Sequence, residues 1–175
     1  MGTLFHTVTR EIGGELRLMS ELGYDAATLG NHEFDFRPAG LAAMISAADR
    51  AKGGALLPLL SSNLRFDPAS TADDSLQAHH DAGRILPYKL LERGGIRFGL
   101  FGLLGNNAVA VSPMIKPVTF ADPVATARET VAKLREEGAE VVILLSHMGV
   151  IQQADGSWRG EEVELVEQVP GIDIV

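Results

Sequence analysis

Cysteine is absent from this 175-residue chain, and its absence removes three classes of site. Without a thiol, the chain has no thiolate metal centre, no cysteine nucleophile and no disulfide framework. The chain also lacks a run of 18 apolar residues, so no membrane span is expected. No signal peptide is predicted within it, because no basic segment near Met1 is followed by an apolar one.

Basic residues are also fewer than acidic residues. The chain has 15 Lys and Arg against 23 Asp and Glu, which gives a formal net charge of -8. Binding of a nucleic acid polymer needs clustered Lys and Arg, so no such partner is expected. A small phosphate ester held by metal ions remains compatible with this charge.

Several nucleotide and catalytic motifs are missing as well. The glycines at 99, 102 and 105 are spaced by three, which is not G-x-G-x-x-G, and no G-x-x-x-x-G-K-[ST] loop occurs. His32-Glu33 begins an H-E-x-x-H pattern, but Phe36 stands where the second histidine is required. The serines at 61, 62 and 146 lack a nucleophile-elbow context.

The residues that are present predict one α/β domain. Hydrophobic residues make up 46% of the chain, enough for one substantial core, and helical patterns alternate with apolar strand-like runs. We predict helices over 7–22, 38–53, 122–138 and 161–169, and strands over 25–29, 56–60, 85–91, 96–104, 141–145 and 172–175. Residues 65–83 lack periodicity and are predicted to form a surface loop, with His79-His80 solvated.

Two of the predicted strands end in polar residues. The first leads into Gly30-Asn31-His32-Glu33-Phe34-Asp35, and the strand over 141–145 leads into Ser146-His147. Ligands of open α/β sheets collect at the carboxyl edge, so both strand ends are candidates for one site. Asn31 offers a hard neutral oxygen for a divalent cation. Asp35 is within reach of His32 across a turn and could orient its imidazole.

Simpler interpretations remain open for each of these residues. A lone strand-end histidine such as His147 is more often bonded to the backbone than to a ligand. Asn31 could serve only as a turn residue, and Asp35 only as a helix N-cap.

The turn resembles the Gly-Asn-His-Glu signature of the calcineurin-like metallophosphoesterases, in the 5'-nucleotidase form that continues Phe-Asp. The resemblance extends over nearly the whole chain, through Gly-Tyr-Asp-Ala, Ser-Ser-Asn, the Gly102 region, Ser-His-Met-Gly and Pro-Gly-Ile-Asp, apart from the segment 65–83. It implies an α/β fold, part of a metallophosphatase-type sandwich of mixed β-sheets flanked by helices.

The resemblance also implies a reaction and roles for four residues. In that family two divalent metal ions bind the phosphate and activate a water or hydroxide for attack. Asn31 and His147 resemble ligands of one metal, while His32, held by Asp35, resembles the group that stabilises the phosphoryl oxygens and leaving group. The metal could be Mn, Zn, Fe, Co or Ni. Substrates of the family are nucleotides, and many members are exported, so an extracytoplasmic location is expected.

The chain departs from the family pattern at both ends. The family's Asp-x-His and Gly-Asp motifs would precede Met1, Gly-His-x-His would follow Val175, and a nucleoside-binding domain would follow that. Residues 1–175 are therefore expected to be a partial catalytic domain, an internal fragment with weak metal binding and negligible activity. A sheet without its first strand would have an open edge and could self-associate there.

Three functions follow as alternatives. The first is a 5'-nucleotidase-like hydrolase of nucleotides. The second, within the same chemistry, is a 2',3'-cyclic-nucleotide or nucleotide-sugar phosphodiesterase. The third is a non-catalytic α/β module that binds a ligand or partner without metal.

Overall fold

The structure is a computed structural model, and it describes residues 8–51, 53 and 56–175. Within these residues six α-helices occur: α1 (Gly14–Glu21), α2 (Arg37–Ala51), α3 (Asp74–Asp81), α4 (Asn106–Ala110), α5 (Pro123–Glu136) and α6 (Glu161–Gln168). Short 3-10 helices cover Arg10–Ile12, Asn31–Phe34 and Pro113–Ile115. None of the described helices is long and apolar enough to cross a membrane.

Among the described residues, ten strands form two principal sheets and two short ribbons. The strands are β1 (Ala27–Thr28), β2 (Leu59–Leu60), β3 (Leu64–Arg65), β4 (Ile85–Leu86), β5 (Tyr88–Arg93), β6 (Ile96–Leu104), β7 (Thr119–Phe120), β8 (Val141–His147), β9 (Ile151–Gln152) and β10 (Trp158–Arg159). One sheet is parallel, in the order β1-β2-β4. The other is mixed, in the order β5-β6-β8, with β5 antiparallel and β8 parallel to β6. The ribbons are β3 with β7 and β9 with β10.

The two principal sheets pack face to face through a glycine in β6. A Cβ at Gly102 would lie 2.5 Å from the carbonyl oxygen of Leu60 and would also clash with the hydroxyl of Thr28. The carbonyl of Gly102 accepts a hydrogen bond from the Ser62 N–H at 2.8 Å. The absence of a side chain therefore lets backbone approach backbone between the sheets.

Each sheet is covered by helices on its outer face. One hydrophobic cluster joins the parallel sheet to α1, α2 and α3, with Leu16, Ile45, Leu59 and Leu76 among its buried members. A second cluster joins the mixed sheet to α5 and α6 through residues that include Phe101, Leu134, Val142 and Leu165. The predicted sandwich of mixed α/β character, flanked by helices, is confirmed.

Most of the predicted elements are present, with changes at their limits. The helix predicted over 7–22 is split at Gly13, whose φ of 60° places it in the left-handed region; position 7 lies outside the described residues. The chain changes sheets at Pro87, so the strand predicted over 85–91 becomes β4 and β5. The strand predicted over 172–175 is reduced to one parallel pairing of Ile174 with Ile143.

The prediction of a surface loop over 65–83 fits residues 66–73, which are irregular, but was wrong for 74–81, which are helical. The segment contains α3, which is anchored by fully buried Leu76. His79 is not simply solvated, because its Nε2 lies 2.8 Å from the Ser46 hydroxyl and 3.0 Å from the Ala42 carbonyl oxygen of α2. Only Leu76 is fully buried in this helix, so its sequence shows too little apolar periodicity to identify a helix.

Candidate metal centre

The turn after β1 is held in place by the buried side chains of Glu33 and Phe34. Gly30 is extended, with φ -106° and ψ -179°, and Asn31–Phe34 form one turn of 3-10 helix. The buried carboxylate of Glu33 accepts the Gly30 N–H at 2.6 Å and closes the turn. Phe34 is fully buried and meets the ring of Phe120 edge to face at 5.9 Å between centroids. These contacts anchor the turn and leave its polar side chains toward the surface.

His32 and Asp35 contact each other on the exposed side of the turn. Side chains at i and i+3 eclipse in a 3-10 helix, so this spacing aligns the imidazole with the carboxylate. The distance between His32 Nδ1 and the nearer Asp35 oxygen is 3.1 Å, and the two side chains are 50% and 38% exposed. With Nδ1–H donating to Asp35, the second ring nitrogen of His32 is free to meet an incoming ligand.

Asn31 and His147 meet although 116 residues separate them. The Oδ1 of Asn31 lies 2.9 Å from the Nε2 of His147, at the ends of strands from the two different sheets. Gly30 permits this contact, since a Cβ there would lie 2.9 Å from Cε1 of His147 and 2.9 Å from the Glu33 carboxylate. The residues predicted from the two strand ends are therefore brought together.

Two further residues at this site were missed from the sequence. The Nδ2 of Asn31 donates to the hydroxyl of Ser112 at 3.0 Å. The backbone N–H of Gly105 donates to the carbonyl of His147 at 3.1 Å. Ser112 is 81 residues from Asn31 and follows no strand, so the strand-end rule could not select it. Glu33 is part of the motif, but the sequence did not reveal that its buried carboxylate accepts a hydrogen bond from the Gly30 N–H.

The donor atoms of Asn31 and His147 fit one part of a divalent metal site. An amide oxygen and an imidazole nitrogen are accepted ligands for Mn, Zn and similar ions, and a shared ion requires such donors side by side. Within residues 8–51, 53 and 56–175, no group of three or more His, Asp or Glu is placed to hold a metal. The described part of the chain therefore offers a pair of donors, short of the four or more that such an ion takes.

A cleft of about 440 Å³ lies next to this pair, beginning at Met148. Its walls carry the carboxylates of Asp122, Glu161 and Glu164 together with Arg128. Asp122 accepts the Ala125 N–H and caps α5, and Glu161 accepts the Asn107 N–H. With three carboxylates against one guanidinium, the cleft is a poor site for a phosphate group.

Comparisons with known proteins identify 5'-nucleotidases among the relatives of this chain. The chain is 30% identical over 176 residues to a probable 5'-nucleotidase of Treponema pallidum, covering 100% of this chain and 25% of the relative. It is 31% identical over 160 residues to a snake venom 5'-nucleotidase of Gloydius brevicauda, covering 91% of this chain and 24% of the relative. No model of a known protein family matches the chain.

Solved structures agree with these relatives. The NAD nucleotidase of Haemophilus influenzae superposes with a TM-score of 0.70 at 27% identity, covering 99% of this chain and 26% of that one. The calcineurin-like phosphoesterase YfkN of Bacillus subtilis gives 0.67 at 27% identity, covering 97% of this chain and 50% of that one.

The chain spans about a quarter of the length of the two curated relatives. Its similarity to them covers β1, the Asn31 turn and the β8 end, because the aligned regions include nearly the whole chain. By sequence and by fold, the chain belongs to the 5'-nucleotidase family of calcineurin-like phosphoesterases.

Proposed function

We propose that this chain supplies part of the catalytic domain of a metal-dependent hydrolase that acts on nucleotide phosphoesters. The observation that carries the proposal is the 2.9 Å contact between Asn31 Oδ1 and His147 Nε2, beside the His32–Asp35 pair on the same turn. The relatives support the substrate class, since they include 5'-nucleotidases and a NAD nucleotidase.

Asn31 and His147 would hold one of two divalent ions through Oδ1 and Nε2. Such ions neutralise phosphate charge and lower the pKa of water when bound. In the present contact the Nε2–H of His147 donates to Asn31, so this proton must leave before Nε2 can act as a ligand. The turn presents Oδ1 of Asn31 from a backbone that Glu33 and Phe34 anchor, while Nε2 of His147 comes from the end of β8.

His32 would act on the phosphoryl group directly. Asp35 accepts from Nδ1 and fixes the orientation of the ring, so Nε2 faces outward. A charged imidazole in this orientation donates a hydrogen bond to a phosphoryl oxygen, or a proton to the leaving oxygen. Its half-exposed position leaves room for a nucleotide to approach.

Three finer points are part of the same proposal. The 175-residue chain alone is expected to bind metal weakly and to have negligible activity, because its described residues provide only two neutral donors. We place the protein outside the cytoplasm, which the snake venom relative supports.

We also propose weak self-association at β1, an edge strand of its sheet among the described residues. Light scattering would detect it as a mass that rises with protein concentration.

The test uses the protein encoded by the intact reading frame around this chain. Asp-x-His upstream and Gly-His-x-His downstream are expected in that frame. Release of phosphate from 5'-AMP in Mn²⁺ should fall about 10²-fold or more in His32→Ala, by loss of acid catalysis. His147→Ala should lose activity that a higher Mn²⁺ concentration partly restores, and the exposed control Ser75→Ala should be unchanged.

The same assay separates the alternatives. Hydrolysis of 2',3'-cyclic AMP or of a nucleotide sugar in place of 5'-AMP would favour the phosphodiesterase. An intact frame without the flanking metal motifs, and no hydrolysis of any of these substrates, would favour the non-catalytic α/β module and contradict the proposal.

A further inference from the structure

The carboxamide of Asn31 has two chemically different ends, and only one can bind a cation. Its Oδ1 faces Nε2 of His147 at 2.9 Å, and its Nδ2 faces the hydroxyl of Ser112 at 3.0 Å. A rotation of 180° about the last side-chain bond would exchange these atoms and present an NH₂ group where an oxygen is needed. The hydroxyl of Ser112 can donate as well as accept, so it favours this orientation together with the Nε2–H of His147, which donates to Oδ1.

Ser112 belongs to a stretch that touches both candidate ligands, residues 105–115, here called the bridging segment. At its start the N–H of Gly105 donates to the carbonyl of His147 at 3.1 Å. Near its end the Ser112 hydroxyl accepts a hydrogen bond from the Asn31 side-chain amide. One short segment after β6 thus contacts residues that follow β1 and β8.

The backbone around Ser112 is fixed by its own contacts. The Ser112 N–H donates to the Val109 carbonyl at 3.1 Å, and the Ser112 carbonyl accepts from the Ile115 N–H at 3.1 Å. Ile115 is 2% exposed and belongs to the same hydrophobic cluster as Phe34, the residue that anchors the Asn31 turn. The hydroxyl and the amide that it meets are therefore carried on two turns packed against one core.

Loss of the hydroxyl would leave a partly buried amide donor without its partner. Such a loss is unfavourable when the group cannot reach water, and a flip of the carboxamide is one way to avoid it. Residues that orient metal ligands through hydrogen bonds typically change metal affinity by about 10–100-fold when removed.

We propose that Ser112 is a positioning residue that fixes the Asn31 carboxamide with Oδ1 toward His147. The effect on metal binding rests on the proposed function, because it assumes that Asn31 and His147 bind a divalent ion. The orientation itself is a property of the 175-residue chain without metal.

The first test is NMR on the isotope-labelled 175-residue chain. The Asn31 side-chain NH₂ protons should show cross-peaks to the Ser112 Hβ protons, with one NH₂ proton shifted downfield by its hydrogen bond. Ser112→Ala should remove that shift, Ser112→Thr should restore it, and the exposed Ser75→Ala should leave it unchanged. Cross-peaks from the NH₂ protons to the His147 ring instead, or an unaltered Asn31 signal in Ser112→Ala, would overturn the proposal.

The second test measures Mn²⁺ affinity from paramagnetic broadening of the same signals. Ser112→Ala should raise the Kd at the Asn31–His147 pair about tenfold or more, with Ser112→Thr within about twofold of the parent chain. An unchanged Kd in Ser112→Ala would overturn the positioning role. If Mn²⁺ does not affect His147 in the parent chain, the weak metal binding expected of the 175-residue chain is absent from this pair, while the cross-peak pattern still decides the role of Ser112.

Discussion

At the scale of single residues, the turn that carries the site is followed by a strained position. Arg37 begins α2 with φ 65°, the left-handed region that favours glycine. A non-glycine residue costs about 1–2 kcal/mol there, and glycine restores only part of that through its greater chain entropy. Strain of this kind is often found close to functional residues, and here Asp35 is two positions away.

We predict that Arg37→Gly raises the free energy of unfolding by about 0.5–1 kcal/mol. The matched control is Arg50→Gly, an exposed position within the same helix, which should lower it by about 1 kcal/mol. Urea unfolding of the three proteins gives the comparison. A loss of stability of equal size at both positions would contradict the strain at Arg37.

At the scale of elements, α3 shows where sequence reasoning failed and why. The helix has one fully buried side chain, Leu76, and rests against α2 partly through His79. Local sequence cannot reveal a contact between elements more than 30 residues apart. The Asn31 turn was predictable because its residue types are consecutive. The carboxyl-edge rule also selected His147, but the structure brings the two residues together from strands of two different sheets, which the rule does not describe. Ser112 had neither signal.

Leu76→Ala should lower the free energy of unfolding by about 2–4 kcal/mol, because it leaves a cavity between α3 and the parallel sheet. The neighbouring exposed substitution Gln77→Ala should stay within about 0.5 kcal/mol of the parent. Chemical denaturation measures both. If Leu76→Ala is as mild as Gln77→Ala, this segment behaves as the surface loop that its sequence suggested.

The last residues are held to β8 by a carboxylate. Asp173 accepts the Val142 N–H at 2.7 Å and the Arg135 guanidinium at 2.6 Å. The backbone N–H of Val142, with a further contribution from Arg135, holds the pKa of Asp173 below its ordinary value. Since the folded pKa is the lower one, this stabilisation is present above the unfolded pKa of about 3.9 and is lost as pH falls through the folded value.

The difference in unfolding free energy between the parent chain and Asp173→Asn should therefore be constant from about pH 7 to pH 5 and shrink below about pH 4. Urea titrations at a series of pH values measure it. A difference that grows on acidification would show that the carboxylate is not ionised by preference in the folded state.

At the scale of the whole molecule, the site exists because two sheets pack closely enough for their strand ends to meet. Asn31 follows a strand of the parallel sheet, and His147 ends a strand of the mixed sheet. The separation between the sheets at Gly102 is thus coupled to the separation of the candidate ligands. The close approach of the sheets could not be predicted from residue patterns. Whether a Cβ fits at Gly102 depends on which residues the other sheet places against it.

Gly102→Ala should lower the free energy of unfolding by about 2 kcal/mol or more, because the new Cβ meets the backbone carbonyl of Leu60. Gly99→Ala in the same strand is the control and should cost less, since its Cβ meets side-chain carbons of Leu134 at 2.9 Å and Ala139 at 3.0 Å and no backbone atom as close as the Leu60 carbonyl oxygen is to Gly102. Thermal unfolding compares them. Equal costs would contradict the close approach of the sheets at Gly102.

The most direct test of the central claim is a Mn²⁺ titration of the 175-residue chain observed by NMR. Broadening should be strongest at the Asn31 side-chain amide and the His147 ring, and Asn31→Ala and His147→Ala should each weaken it. Broadening centred on the acidic side chains of α6, with Asn31 and His147 unchanged, would contradict a metal site between the two strand ends.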